Sequence, residues 1–152
     1  MVRLLRALWI GVLALTLTMC AENFEHPVPN TYVSFSFSLS DPLYKTLSVP
    51  DNSMLITSAM RGSQSLGYGN SGVLVYNSGN SFYAFDATCP HDIPTIVATE
   101  LSEGIAECPV CGSRYVLAGG GDPTSDSPSQ YSLKAYKADY NPNTFEVFVS
   151  SQ

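Results

Sequence analysis

Apolar and polar residues alternate along the first predicted strand of this chain. Between positions 33 and 39 the odd positions carry Val, Phe, Phe and Leu, and the even positions carry serine. This period of two is typical of a half-buried β-strand whose serines face water, and Asp41-Pro42 ends it as a turn. A second strand is predicted around residues 54–57, followed by a loop rich in glycine, serine and asparagine over residues 61–72.

Two apolar runs in the middle of the chain predict a β-hairpin. Residues 73–76 and 82–85 flank Asn77-Ser78-Gly79-Asn80, which is a strong signal for a turn between antiparallel strands. The hairpin delivers the chain to Cys89.

The last third of the chain continues the pattern of short strands. A strand is predicted at residues 115–117, and residues 131–136 and 145–149 are predicted to pair around the turn Asn141-Pro142-Asn143. No stretch has the period of a long amphipathic helix. With ten prolines and eleven glycines in 152 residues, the sequence predicts one all-β domain with a core of its own.

The N-terminus has the pattern of an export signal. Arg3 and Arg6 precede an apolar run over residues 7–19, which is too short to span a bilayer comfortably and stops at Cys20. Residues 1–20 resemble a bacterial lipoprotein signal, in which Cys20 is lipidated on its thiol and anchors the exported protein to a membrane. We interpret residues 21–30 as a tether in which His26 is a solvated linker residue. An ordinary cleaved signal with an incidental cysteine is the alternative.

Charge narrows the range of partners. The full chain has a net charge of −6, and without residues 1–20 it has 5 Lys and Arg against 13 Asp and Glu, a net charge of −8. Nucleic acid and anionic membrane surfaces are therefore poor partners, whereas a basic redox protein would be attracted. The same charge also suits an acidic exported domain that needs only solubility.

The candidate chemistry lies in two short loops, Cys89-Pro90-His91 and Cys108-Pro109-Val110-Cys111, separated by sixteen residues. Each loop offers two soft or borderline ligands one or two residues apart. A pair of such loops can hold an iron–sulfur cluster from opposite sides.

This layout resembles the Rieske [2Fe–2S] family, whose pattern is C-x-H, about sixteen residues, and then C-x-x-H. Here Cys111 stands in place of the second histidine. The resemblance implies a Rieske-like antiparallel β-sandwich with a small cluster-binding subdomain over residues 31–152. It also implies that Cys89 and Cys108 bind one iron, and that His91 and Cys111 bind the other.

The resemblance continues after the second loop, because Gly112-Ser113-Arg114-Tyr115 matches the family's G-S-x-Y/F sequence. It implies that the hydroxyls of Ser113 and Tyr115 donate hydrogen bonds to a bridging sulfide and to a cysteine sulfur, which stabilises the reduced cluster. Pro128 falls where the family has a third loop that covers the site.

The implied function is one-electron transfer through a [2Fe–2S] cluster in a membrane-anchored lipoprotein that serves an unidentified redox partner protein. An added thiolate makes the centre more negative, so its reduction potential should fall below the Rieske range, towards about −400 mV.

Two other interpretations stay open. A disulfide between Cys108 and Cys111 would leave a metal-free fold with a binding or structural role. A structural zinc could use Cys89, His91, Cys108 and Cys111. Catalysis on the chain itself has little support, because a thiolate nucleophile needs a separate base and the remaining histidine is His26 in the predicted tether.

Overall fold

A computed structural model describes residues 25–99 and 104–152 of the chain. The strands are short, and so are the 3-10 helices between them, as the turn-rich sequence predicts. The strands are β1 (Ser34–Ser38), β2 (Ser53–Ile56), β3 (Val73–Asn77), β4 (Phe82–Asp86), β5 (Ala98–Thr99), β6 (Ile105–Glu107), β7 (Arg114–Val116), β8 (Asp122–Pro123), β9 (Ala135–Asn141) and β10 (Glu146–Ser150), and the 3-10 helices are Pro42–Ser48, Ser58–Arg61, Tyr68–Asn70 and Leu117–Gly119.

The strands form two antiparallel sheets. A six-stranded base sheet has the order β1-β10-β9-β4-β3-β2, and a four-stranded sheet has the order β5-β6-β7-β8. Strands β1 to β4 correspond to the four strands predicted from the N-terminal half, and the β3–β4 hairpin turns at the predicted position. The predicted all-β fold, a base with a small second subdomain, is confirmed.

The β3–β4 hairpin lies between two hydrophobic cores. Every residue of β3 is buried. Val73 and Val75 pack into the base core, whereas Leu74 and Tyr76 pack into a second core that contains Cys89, Cys108 and Tyr115. A strand buried on both faces has a continuous apolar run instead of an alternating one, and the run at residues 73–76 has this form. The hairpin therefore joins the base to the cysteine loops.

The structure corrects the predicted closing strand at residues 131–136. Strand β9 runs over Ala135–Asn141 and pairs with both β10 and β4. Its period-two pattern is carried by Tyr136, Ala138 and Tyr140, which pack against the base core between the exposed Lys137 and Asp139. Two tyrosines and an alanine that alternate with charged residues give a weaker hydrophobic signal than the preceding Tyr131 and Leu133.

The segment before β1 is packed against the domain. Val28 is completely buried, and Nε2 of His26 lies 2.9 Å from the backbone oxygen of Ser132. The interpretation of His26 as a solvated linker residue was therefore wrong. The predicted signal peptide over residues 1–20, including Cys20, and the first part of the predicted tether lie outside the described residues.

Within residues 25–99 and 104–152, no helix has both the length and the apolar character needed to cross a membrane.

Candidate metal centre

The first cysteine loop follows directly from β4 and is closed by backbone hydrogen bonds. The N–H of Cys89 donates to the oxygen of Thr95 at 2.8 Å, and the N–H of Val97 donates to the oxygen of Ala87 at 2.9 Å. These bonds fold residues 87–97 back on themselves. Cys89 is completely buried at the start of the loop, while His91 is exposed near its tip.

The second cysteine loop is the tight turn of the β6–β7 hairpin. The N–H of Cys108 donates to the oxygen of Ser113 at 2.8 Å, and the N–H of Gly112 donates to the oxygen of Cys108 at 2.9 Å. Gly112 has a φ of +70°, a left-handed conformation that glycine adopts without a steric penalty. The turn buries Cys108 and leaves Cys111 half-buried.

The two loops bring three thiols together. The sulfur atoms of Cys89, Cys108 and Cys111 all lie within 4.8 Å of one another, and the Sγ atoms of Cys89 and Cys111 are 3.7 Å apart. All three are free thiols, and Cys89 and Cys108 belong to the second hydrophobic core. The arrangement is a compact, partly desolvated cluster of soft ligands.

Two hydroxyls lie against these sulfurs. The hydroxyl of Tyr115 is 3.2 Å from Sγ of Cys89, and Oγ of Ser113 is 3.1 Å from Sγ of Cys111. Ser113 Oγ also accepts a hydrogen bond of 3.1 Å from the N–H of Ser129. Toward the Cys111 thiol Ser113 Oγ is a second-lone-pair acceptor, and toward a Cys111 thiolate it would turn its own hydrogen to the sulfur.

The surroundings shift the pKa of two thiols in opposite directions. Burial raises the pKa of Cys108 to about 11. Burial also disfavours the Cys111 thiolate, but hydrogen bonds from the Ser113 side chain and backbone and from the Cys108 and Cys89 thiols outweigh it and lower the pKa of Cys111 to about 6. The surroundings of Cys111 therefore favour its thiolate, the form that binds metals.

His91 is not part of the thiol cluster. It belongs to the first loop, two residues after Cys89, but its ring is not among the grouped ligand atoms of the described residues. Its predicted role as the fourth ligand stays a prediction, as do the roles that the resemblance implies for Ser113 and Tyr115.

The chemistry of the donor set fits an iron–sulfur cluster. Three cysteine thiols from two loops meet at one point, and two hydroxyls face their sulfurs. Thiolates are the usual ligands of iron–sulfur clusters, and hydrogen bonds to sulfur are among the features that set their potentials. Three thiols with one further ligand would also fit tetrahedral zinc.

Sequence reasoning missed two residues that organise the loops. One is Ser129, whose backbone N–H holds Ser113 from within the polar loop predicted to cover the site. The other is Asp86, a completely buried carboxylate at the end of β4. Its signal in the sequence is an acidic residue directly after a buried apolar run and three residues before Cys89.

The sequence model of the family described as the Rieske [2Fe-2S] domain matches residues 49–137, more than half of the chain. The fold of this chain is similar to that of solved structures. The ferredoxin of carbazole 1,9a-dioxygenase from Nocardioides aromaticivorans IC177 aligns with a TM-score of 0.50 at 20% identity, over 80% of this chain and 99% of that chain. A chain from the complex of reduced oxygenase and oxidized ferredoxin in carbazole 1,9a-dioxygenase has the same TM-score and identity, over 82% of this chain and 96% of that chain. No curated protein sequence matches the chain.

Proposed function

Because this chain belongs to the Rieske [2Fe-2S] domain family, we propose that it transfers single electrons through a [2Fe–2S] cluster held by Cys89, Cys108, Cys111 and His91. The observation that carries the ligand set is the meeting of the three thiols within 4.8 Å. When bound, such a cluster supplies a centre that accepts and donates one electron at a time.

The residues around the thiols have distinct roles. Cys111 is poised as a thiolate, whereas Cys108 and Cys89 lie in an apolar core that keeps water from the sulfurs. With a cluster bound the cysteines are thiolates and can only accept, so the hydroxyls of Tyr115 and Ser113, which lie 3.2 Å and 3.1 Å from the sulfurs of Cys89 and Cys111, would donate to them and favour the more negative, reduced state. Three thiolates carry one more negative charge than two, so we expect a potential below the Rieske range, towards about −400 mV.

The test is a metal analysis of the full chain produced anaerobically with iron and sulfide supplied. We expect about two irons and two labile sulfides per chain and a rhombic EPR signal after reduction. Cys111→Ser should lose the cluster. Cys20→Ser is the matched control, because it removes the one cysteine outside the two loops and should leave iron and sulfide unchanged.

Two results would overturn the proposal. One zinc per chain with no labile sulfide would identify a structural zinc site. A folded, iron-free protein that forms a disulfide between Cys108 and Cys111 would identify a metal-free member of the fold. Cys111→His is the further test of the ligand, because an imidazole in place of a thiolate should raise the potential of the loaded protein.

We also propose that a redox partner docks on the two cysteine loops. Exposed apolar side chains lie in these loops, namely Ile93, Ile96 and Val110. The half-buried Asp92 adds negative charge beside them, and so does the exposed Glu107, whose charge is partly offset by Arg114 at 3.6 Å. An apolar patch flanked by acids suits a partner whose own apolar patch is flanked by basic residues. A complex of an oxygenase with a ferredoxin of this fold is consistent with such a partner.

Electron-transfer kinetics with a basic redox protein of suitable potential would test this surface. We expect the second-order rate constant to fall as salt concentration rises. Val110→Ser should slow the reaction, and Phe148→Ser, which changes an exposed apolar residue on the base sheet, is the control. Equal rates for both variants would place the docking surface elsewhere.

The membrane anchor is a separate proposal that depends on the sequence at residues 1–20. We propose that Cys20 is lipidated and that the domain is held at a bacterial membrane, facing the periplasm or the cell surface. Metabolic labelling with a palmitate analogue in a bacterial host should mark the full chain but not Cys20→Ser. Labelling that survives Cys20→Ser, or export without any label, would contradict the proposal.

A further inference from the structure

Asp86 is a buried carboxylate that accepts four hydrogen bonds. Its Oδ1 accepts from the hydroxyl of Ser71 at 2.9 Å and from the N–H of Thr88 at 2.9 Å. Its Oδ2 accepts from the N–H of Tyr68 at 2.6 Å and from the hydroxyl of Tyr136 at 2.7 Å. Each oxygen thus accepts one backbone N–H and one hydroxyl, an arrangement that satisfies an ionised carboxylate.

These four donors come from three parts of the fold. Tyr68 and Ser71 belong to the glycine-rich loop before β3, Thr88 belongs to the first cysteine loop, and Tyr136 lies in β9. The bond to Thr88 is made two residues after Asp86 and directly before Cys89, so it fixes the turn that carries the chain from β4 into the site.

Among the described residues, no cationic side chain forms an ion pair with Asp86. The ion pairs within the described part of the chain are Arg114 with Glu107 and Lys137 with Asp139. Asp86 itself is completely buried. The carboxylate is therefore balanced by dipoles alone, and its charge is poorly screened by water.

We propose that Asp86 is a positioning residue for the first cysteine loop and that its buried charge lowers the reduction potential of the neighbouring cluster. The second half rests on the proposed function. A fixed negative charge close to the cluster opposes the addition of an electron. Three residues span at most about 11 Å, so the Cα atoms of Asp86 and Cys89 lie no farther apart than that. A buried charge still acts strongly over such a distance.

The magnitude follows from Coulomb's law. A unit charge at a distance of about 12 Å in a medium of effective dielectric constant about 20 changes an equilibrium constant about tenfold. For a one-electron couple this is about 59 mV.

Two variants should shift the potential in opposite directions. Asp86→Asn removes the charge, so it should raise the equilibrium constant for reduction about tenfold and the potential by about 59 mV. Tyr136→Phe keeps the charge but removes one dipole that balances it, so the potential should fall. Simple loosening of the loop would move both variants the same way. Asp139→Asn, which removes an exposed charge on the base sheet, is the control and should change the potential little.

Potentiometric titration followed by EPR gives the deciding measurement. Opposite shifts for Asp86→Asn and Tyr136→Phe, with no shift for Asp139→Asn, would support the electrostatic half. Shifts of the same sign, or no shift, would overturn it. If Asp86→Asn does not fold, Tyr136→Phe is the deciding variant. A potential that is unchanged or higher in Tyr136→Phe would then contradict the electrostatic effect of Asp86.

The positioning half is tested without any cluster. The measurement is hydrogen exchange on the metal-free protein. The amides of Thr88 and Cys89 should exchange at least about tenfold faster than in the parent, both in Asp86→Asn and in the double variant that combines Ser71→Ala with Tyr136→Phe. The amides of Val147 and Val149 in the base serve as the internal control. Unchanged exchange at Thr88 and Cys89 would overturn this half. A parent protein that binds no iron or sulfide would contradict the proposed function and the proposed effect of Asp86 on the potential. The exchange result would still decide whether Asp86 positions the loop.

Discussion

At the residue scale, the hydroxyl of Tyr115 is a hydrogen-bond donor that faces the sulfur of Cys89. It lies in an apolar core, 3.2 Å from Sγ of Cys89, and burial together with that thiol raises the pKa of Tyr115. The tyrosine therefore keeps its proton at physiological pH and can only donate to a thiolate sulfur. A donor that faces a sulfur stabilises the electron-rich state of a cluster more than the oxidised state.

We expect Tyr115→Phe to lower the reduction potential of the loaded protein by about 60 mV. This corresponds to the loss of about 1.4 kcal/mol of differential hydrogen bonding, within the usual net range for one hydrogen bond in a protein. Potentiometric titration measures the shift. Tyr140→Phe, in the base sheet, is the control, and an equal potential in Tyr115→Phe and the parent would contradict the role of the hydroxyl.

Tyr136 gives a second prediction at this scale, on stability against pH. Burial and then the Asp86 carboxylate raise the pKa of Tyr136 above its usual value near 10. A raised pKa in the folded state means that the unfolded state loses this proton first, so stability is full below pH 10 and falls as pH rises beyond it. The expected loss is about 1.4 kcal/mol per pH unit for this one group.

Denaturant unfolding between pH 8 and pH 11.5 measures this slope. Tyr136→Phe should show a shallower decline above pH 10, although it is less stable at pH 8 because Asp86 loses a donor. The residual slope is expected because burial also raises the pKa of Tyr76. Identical slopes for the variant and the parent would show that Tyr136 is not linked to the alkaline loss.

At the scale of elements, the turn after β7 packs directly on β4. Gly121 has a φ of +80°, and a Cβ there would lie 2.8 Å from Cε1 of Phe85 and 3.0 Å from Cβ of Leu133. Neither a side chain nor a right-handed backbone fits this position. The close contact holds the four-stranded sheet against the β3–β4 hairpin.

Gly121→Ala should therefore destabilise the protein by about 3 kcal/mol, through both the strained φ and the overpacked core. Gly120→Ala is a matched control, because Gly120 has a nearly identical φ of +82° but open space around its Cβ position. It should cost only about 1 kcal/mol. Urea unfolding compares the two, and equal losses would mean that the contact with Phe85 contributes nothing.

At the scale of the whole molecule, two hydrophobic cores meet at the β3–β4 hairpin. The base core combines strands of the six-stranded sheet with Tyr44, Leu47 and Leu66 from the segments between them, whereas the second core includes the cysteines themselves. Ligation by Cys89, Cys108 and Cys111 would therefore tie the second core together, but the base core does not depend on it.

Removal of the cluster by acid or a chelator should loosen the second core selectively. Amides in β6 and β7 should exchange at least tenfold faster in the metal-free protein, because binding to the folded state stabilises the segments that supply ligands. Amides in β1 and β10 should change little. Hydrogen exchange followed by mass spectrometry tests this, and uniform loss of protection would show that the two cores unfold as one unit.

The sequence by itself determined the all-β class, the β3–β4 hairpin and the two cysteine loops. Hydrophobic period and turn chemistry are local properties, and the ligand residues lie within four positions of one another in each loop. It misplaced β9, whose alternating face is carried by Tyr136, Ala138 and Tyr140, because such residues give a weak local signal.

Only the tertiary structure decided which side chains meet. The contact between Cys89 and Cys111 joins residues that are 22 positions apart, and the bond between Asp86 and Tyr136 joins residues 50 positions apart. No local pattern encodes such separations. They depend on two sheets closing over a shared hairpin, and that packing brings three thiols together and buries Asp86 at the start of the loop that carries Cys89.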